Sequence, residues 1–152
     1  VIRNRDESGN LPLHIACEEN AQVEVLSMLV EMDPATLHIA DHTGSLPIHL
    51  LCCSTTTPAE YASVRHLVER GGVRTLSARN HNFALPLHNL VASTSPPLRC
   101  IQYLIQSFSE ALTARTEEGL YPYMIAACIT SSASLSVVYA LVRANPSLVL
   151  PR

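Results

Sequence analysis

Asp41-His42-Thr43-Gly44-Ser45-Leu46-Pro47-Ile48-His49 decides the fold, because its Asp, Gly, Pro and His return elsewhere at the same offsets. Asp6-Glu7-Ser8-Gly9 leads into Leu11-Pro12-Leu13-His14 in that register, and Asn80-His81-Asn82-Phe83 leads into Leu85-Pro86-Leu87-His88. A blurred fourth copy runs from Thr116-Glu117-Glu118-Gly119 into Tyr121-Pro122-Tyr123-Met124. Pro12, Pro47, Pro86 and Pro122 stand 35, 39 and 36 residues apart, the period of stacked supersecondary units. One such phrase is weak evidence; four in phase make the chain an array.

Each part of the frame has a physical reading. Gly9, Gly44 and Gly119 share one register, where glycine's access to positive φ and the neighbouring Asp or Asn side chain favour a tight turn. Phe83 occupies that register in the third copy, which predicts that the third turn differs. Proline's fixed φ and missing N–H suit the first turn of a helix, so each phrase opens a short helix of about three turns. A second helix follows, marked by apolar columns at three- and four-residue spacing: Val25, Leu26, Leu29 and Val30; Val64, Leu67 and Val68; Ile101, Leu104 and Ile105; Val138, Leu141 and Val142. Leu37, Leu76, Leu112 and Leu148 form a last column before each new turn. Length varies between the helices, at 54–58, 93–97 and 130–134.

Composition narrows the function. The 152 residues are 47% hydrophobic, with a mean hydropathy of +0.18, which is ample for a packed core. A net charge of −3 without a basic run gives no electrostatic footprint for nucleic acid or an anionic membrane, and neither is expected as a partner. No apolar run approaches the ~18 residues that span a bilayer, so direct membrane insertion is not expected. The five cysteines are an odd count, include adjacent Cys52-Cys53, and mostly stand where other copies carry Ala, Leu or Val. That is small-hydrophobe usage in a reducing compartment, and an intracellular, cytoplasmic setting is expected.

A turn, a short helix opening on Pro-Leu-His, a second amphipathic helix and a loop back to Asp-x-x-Gly resemble the ankyrin repeat, over essentially the whole chain. The resemblance implies an all-α solenoid of stacked helix-turn-helix units with finger-like turns. It divides residues 1–152, as a single array, into units at approximately 6–40, 41–79, 80–115 and 116–151. The sequence departs from the family where Thr ordinarily precedes Pro-Leu-His; here stand Leu11, Leu46, Leu85 and Tyr121. Losing that hydroxyl cap costs about 1 kcal/mol, whereas a buried Leu contributes roughly 1.5 to 3 kcal/mol, so these residues are expected to be buried between neighbouring units. Both ends fall at seams between units without a clear polar cap, which favours an excerpt from a longer protein.

His14 with Cys17, and His49 with Cys52, stand three residues apart on a helix face, a spacing that suits zinc. Adjacent helices lie about 8 to 10 Å apart, too far for two such pairs to converge on one ion held at about 2.0 to 2.3 Å, so no metal or cofactor is expected. The resemblance instead gives His14, His49 and His88 a structural role, hydrogen-bonding backbone and tying units together, beside the turn glycines Gly9, Gly44 and Gly119. No nucleophile elbow, phosphate-cradling loop or metalloprotease signature is present, and Glu18-Glu19 and Glu117-Glu118 splay apart as solvated surface, so no enzyme activity is expected.

The resemblance assigns binding to the turns and to the exposed side of the first helices. The matching turn positions are Glu7, Ser8, Asn10, His42, Thr43, Ser45, His81, Asn82, Ala84, Glu117, Glu118 and Leu120; the helix positions are Glu18, Glu19, Cys53, Ser54, Ala92, Ser93, Cys128 and Ile129. Arg5, Arg79 and Arg115 precede three of the four turns, with Ala40 interrupting the column. Their forks suit partner carboxylates, and the alternative is pairing with Asp6, Glu7, Glu117 or Glu118. The expected function is a non-catalytic module that binds another protein or another domain of its own chain. The alternatives are a structural spacer in a larger assembly and a regulatory array of a larger enzyme or channel.

Overall fold

The computed structural model describes residues 2–53, 57–129 and 132–148. All regular structure among them is helical. Four short helices open on the recurring proline: α1 (Pro12–Glu18), α3 (Pro47–Cys53), α6 (Pro86–Ala92) and α8 (Pro122–Cys128). Each is seven residues long, two turns in place of the expected three. The reason is visible after α1, where Asn20 turns left-handed at φ 51 and the Ala21 N–H closes on the Ala16 carbonyl at 2.8 Å, ending the helix.

The amphipathic second helices are α2 (Val23–Met32), α4 (Tyr61–Gly71), α7 (Leu98–Ser107) and α9 (Ser132–Ala144). Tight helical turns lead back from three of them, at Pro34–His38, Ser109–Thr113 and Pro146–Leu148; after α4, Gly72 at φ 67 introduces a short α5 (Val73–Ser77). The short helices pack in sequence, α1 on α3, α3 on α6 and α6 on α8, as an inner layer. The second helices pack α2 on α4, α4 on α7 and α7 on α9 as an outer layer. Consecutive units therefore touch only their neighbours, as in a solenoid.

The core lies between the layers and fills most of the columns read from the sequence, the exception being Val25, which is 44% exposed because no helix pair among the described residues covers that side of the first unit. Leu26, Val30, Val64, Leu67, Ile101, Leu104 and Leu141 are buried, and so are Leu37, Leu76 and Leu112. Leu148 is half-buried. Leu11, Leu46 and Leu85 are 1%, 6% and 2% exposed, as expected of residues sealed between units, while Tyr121 is only half-buried. Cys17, Cys52 and Cys100 behave as small hydrophobes: all are buried free thiols, and desolvation pushes that of Cys100 up to about 11.

Candidate functional site: the finger turns and the inner groove

All four turns fold alike. The first residue's N–H bonds the carbonyl four residues on, from Asp6 to Asn10, Asp41 to Ser45, Asn80 to Ala84 and Thr116 to Leu120, at 3.0–3.1 Å. Inside three of the turns the same residue's side chain accepts two backbone amides, Asp6 from Ser8 and Asn10, Asp41 from Thr43 and Ser45, Asn80 from Asn82 and Ala84, and in the fourth Thr116 accepts that of Leu120 alone. These bonds hold the Asp6 carboxyl below its ordinary range, the Asn10 amide contributing most. The third turn keeps this geometry, against the expectation drawn from Phe83, which adopts φ 56 itself. Asn80 supplies both internal acceptors there, so the turn survives a left-handed aromatic residue.

Neighbouring fingers are joined. The N–H of His42 donates to the Ser8 carbonyl (3.1 Å), that of His81 to Thr43 (2.9 Å) and that of Glu117 to Asn82 (2.9 Å). His42 lays its ring on Gly9 and His81 lays its ring on Gly44, so close that an added Cβ would meet ring carbon Cδ2 at 2.4 and 2.5 Å. Where Phe83 replaces the glycine, Glu117 replaces the histidine in the following finger.

The inner histidines tie the seams. Nδ1 of His14, His49 and His88 accepts the N–H of Leu11, Leu46 and Leu85 at 3.0–3.1 Å, which places the proton on Nε2. From there it points to carbonyls of the next unit, Ser45 for His14 and Ala84 for His49, and to carbonyls at the end of its own unit, Ala78 for His49 and Ala114 for His88. The histidine thus satisfies the backbone amide of the leucine that precedes each helix. Burial lowers all three pKa values, that of His49 to about 4.

The arginine column also works inward. Arg5 Nη1 donates to the carbonyls of Gly9 and Ala40, and Arg79 Nη1 to those of Phe83 and Arg115. Arg115 instead covers the Tyr121 ring, 4.7 Å from its centroid, and bonds its hydroxyl. Among the described residues these guanidinium groups form no ion pair with Asp6, Glu7, Glu117 or Glu118. The backbone is their acceptor because a turn gathers carbonyls that no helix satisfies.

The remaining binding positions separate by exposure. Glu7, Ser8, His42, Thr43, His81, Asn82, Glu117 and Glu118 are exposed; Asn10 and Leu120 are half-buried. Ser45 and Ala84 are buried at 4% and 7% exposure, so their side chains offer a partner little. On the helices, Glu18, Glu19, Cys53, Ala92 and Cys128 are exposed, Ile129 is half-buried and Ser93 is buried. Ser54 lies outside the described residues, as do 149–151 of the last expected unit. Asn82, Ala84, Ala92, Glu117, Glu118 and Leu120 come together in a groove of about 370 Å³ between the third and fourth fingers, joined by Asn89 and Ile125, which sequence reasoning missed. A larger hollow of about 810 Å³ lies on the outer side between α7 and α9, lined by Leu98, Ile105, Leu135 and Tyr139 among others. Among the described residues no group of three or more His, Cys, Asp or Glu is placed to hold a metal ion, and no helix is long and apolar enough to cross a membrane.

Stacked helix pairs with bonded fingers define a helical repeat solenoid. A family model, the ankyrin repeat, matches residues 8–42, and the same turn and helix pair recur beyond them, consistent with the ankyrin repeat family. Ankyrin repeats generally mediate protein–protein interaction and are typically non-catalytic. No curated protein matches the chain.

Proposed function

We propose that the chain is a protein-binding module that receives a segment of another protein, or of another domain of its own polypeptide, along the finger tips and the inner helix ends. The groove between the third and fourth fingers carries this reading. Ala92 and Ile125 give it apolar lining, and the Glu117 and Glu118 carboxylates beside it have no hydrogen-bond partner among the described residues. Arg79 and Arg115, by contrast, are spent on carbonyls and on Tyr121. Buried, unbridged Cys17, Cys52 and Cys100 support a reducing, intracellular setting.

Arg79 and His81 hold fingers together, so substituting them would confound binding with folding. Ala92→Arg and Glu118→Arg test the groove directly, with Gln102→Arg on the outer helix α7 as control. A partner identified by copurification and mass spectrometry is titrated calorimetrically against each variant. The groove variants should weaken binding by about tenfold or more, since a buried unpaired charge costs more than 1.4 kcal/mol; the control should not. The uncovered apolar side of the first unit, where Val25 and Met28 are exposed, favours a second reading, a structural spacer. That reading expects no loss of partner affinity on Ala92→Arg.

A further inference from the structure

On the outer layer, equivalent seams between units are filled unequally. Tyr61 and Leu98 share one register on the second helices, Arg99 and Ser136 another, and Tyr103 and Ala140 a third. Between α4 and α7 these positions make a filled seam: the Arg99 guanidinium lies 4.0 Å from the Tyr61 ring centroid, and the Tyr103 ring meets Tyr61 edge-on at 5.6 Å. Between α7 and α9 they hold Leu98, Ser136 and Ala140, a hydroxymethyl and a methyl in place of a guanidinium and a phenol, and the hollow of about 810 Å³ opens there. Leu98, Ile105 and Ala140 give it apolar walls.

The outward columns change character at the same place. Ser27, Arg65, Gln102 and Tyr139 share a register, and four residues after them stand Glu31, Glu69, Gln106 and Arg143. The first two pairs close on themselves: the Ser27 hydroxyl donates to Glu31, and Arg65 Nε lies 2.7 Å from Glu69. The third pair is two neutral amides, and in the fourth a ring that is 65% exposed stands beside an exposed cation. Arg143 forms no ion pair among the described residues, and no carboxylate lines the hollow. This column faces outward even inside the array, since Arg65 and Gln102 are exposed with a helix pair stacked before and after each of them.

We propose that the hollow between α7 and α9 docks an acidic amphipathic helix of another protein, with its apolar stripe on Leu98, Ile105 and Tyr139 and a carboxylate on Arg143. The volume is within the roughly 300–1,000 Å³ of pockets that bury a ligand. The ten residues of α7 run for about 15 Å, the length of about three turns of an incoming helix, whose i, i+3, i+4 and i+7 side chains then enter together. The unpaired guanidinium sets the sign of the partner, because its planar fork receives a carboxylate through two parallel bonds. The hollow shares no residue with the groove between the third and fourth fingers, so each can be filled without the other.

The probe is a fluorescein-labelled helical peptide with leucines at i, i+3, i+4 and i+7 flanked by glutamates, beside a twin in which lysine replaces every glutamate. Each is titrated against the 152-residue chain by fluorescence anisotropy. The acidic peptide should bind about tenfold more tightly or better, and Arg143→Glu should invert that order. Gln102→Arg should tighten the acidic peptide, while Ala92→Arg in the finger groove should leave it unchanged, so failure here is read separately from failure of that groove. Combining Leu98→Tyr, Ser136→Arg and Ala140→Tyr rebuilds the filled seam and should abolish binding at an unaltered urea midpoint. Equal affinity for the two peptides, retained binding by the combined variant, or no saturable binding would overturn the proposal. So would self-association in sedimentation velocity that the combined variant abolishes, because the occupant would then be a second copy. Saturable binding of dodecanoate in place of the peptide overturns it too, since a free apolar carboxylate would then be the ligand.

Discussion

The guanidinium of Arg79 lies 2.8 Å from the carbonyl oxygen of Arg115, one unit further along, and Arg5 reaches the carbonyl of Ala40 in the same way at 3.0 Å. Between the starts of the second and third fingers this bond is missing, because Ala40 occupies the arginine position. Ala40→Arg should therefore add donors to the Gly44 and Arg79 carbonyls, stabilising the protein by about 0.5 to 1.5 kcal/mol. Arg79→Ala should cost a similar amount. Thermal unfolding of the two variants checks both signs.

Acid should weaken the seams. His49 has its pKa lowered to about 4 by desolvation, which outweighs its bonds to Ala84 and Ala78, while an unfolded histidine titrates near 6.5. The unfolded chain therefore takes up the proton first as pH falls. Stability from this group is complete above about pH 6.5 and is lost on the way down to about 4, by an amount on the order of 3 kcal/mol. His14 and His88 are lowered in the same direction and add to the effect. The urea midpoint should be level above neutrality and fall below pH 6.5, less steeply in His49→Gln.

Two glycines with nearly equal backbone angles should respond differently to alanine. Gly119, at φ 81, has open space around an added Cβ, so Gly119→Ala carries only the left-handed penalty of about 1 to 2 kcal/mol. Gly44, at φ 75, would in addition drive its methyl into the His81 ring. Gly44→Ala should cost clearly more, and paired urea titrations decide it.

Restoring the residue customary for the family should harm this protein. Leu85 is 2% exposed, and His88 already accepts its N–H. Leu85→Thr would forfeit roughly 1.5 to 3 kcal/mol of burial and regain about 1 kcal/mol of capping, a net loss of about 1 kcal/mol. A rise in the thermal midpoint would contradict the account of the dry seam.

The helix starts, the outer columns and the histidine seams were legible because each depends on residues close in sequence or on a periodic face. The backbone acceptors of Arg5 and Arg79 were not legible, since carbonyls carry no side-chain signature and two of them, on Ala40 and Arg115, lie 35 and 36 residues away. The rings of His42 and His81 against Gly9 and Gly44 were hidden likewise. Exposure of Ser45 and Ala84 was overestimated because the amides of both bond back to the start of their turns, drawing them inward. Phe83 was expected to reshape its finger, and Asn80 prevented it. Within the groove, Asn89 and Ile125 sit at a register shared with Ile15 and Leu50, where residue type changes in every unit and periodicity says nothing.

The strip of finger bonds has a direction: each N–H, from His42, His81 and Glu117, points back to the carbonyl of the preceding finger. A strip of this kind has unlike ends, a donor at Glu7 and the Glu118 carbonyl at the other. Two copies related by a twofold axis would set donor against donor or acceptor against acceptor, so symmetric end-to-end pairing gains nothing from it. Joining is favoured only in the sense in which the chain itself runs, and a polarity along the axis is thereby written into the backbone.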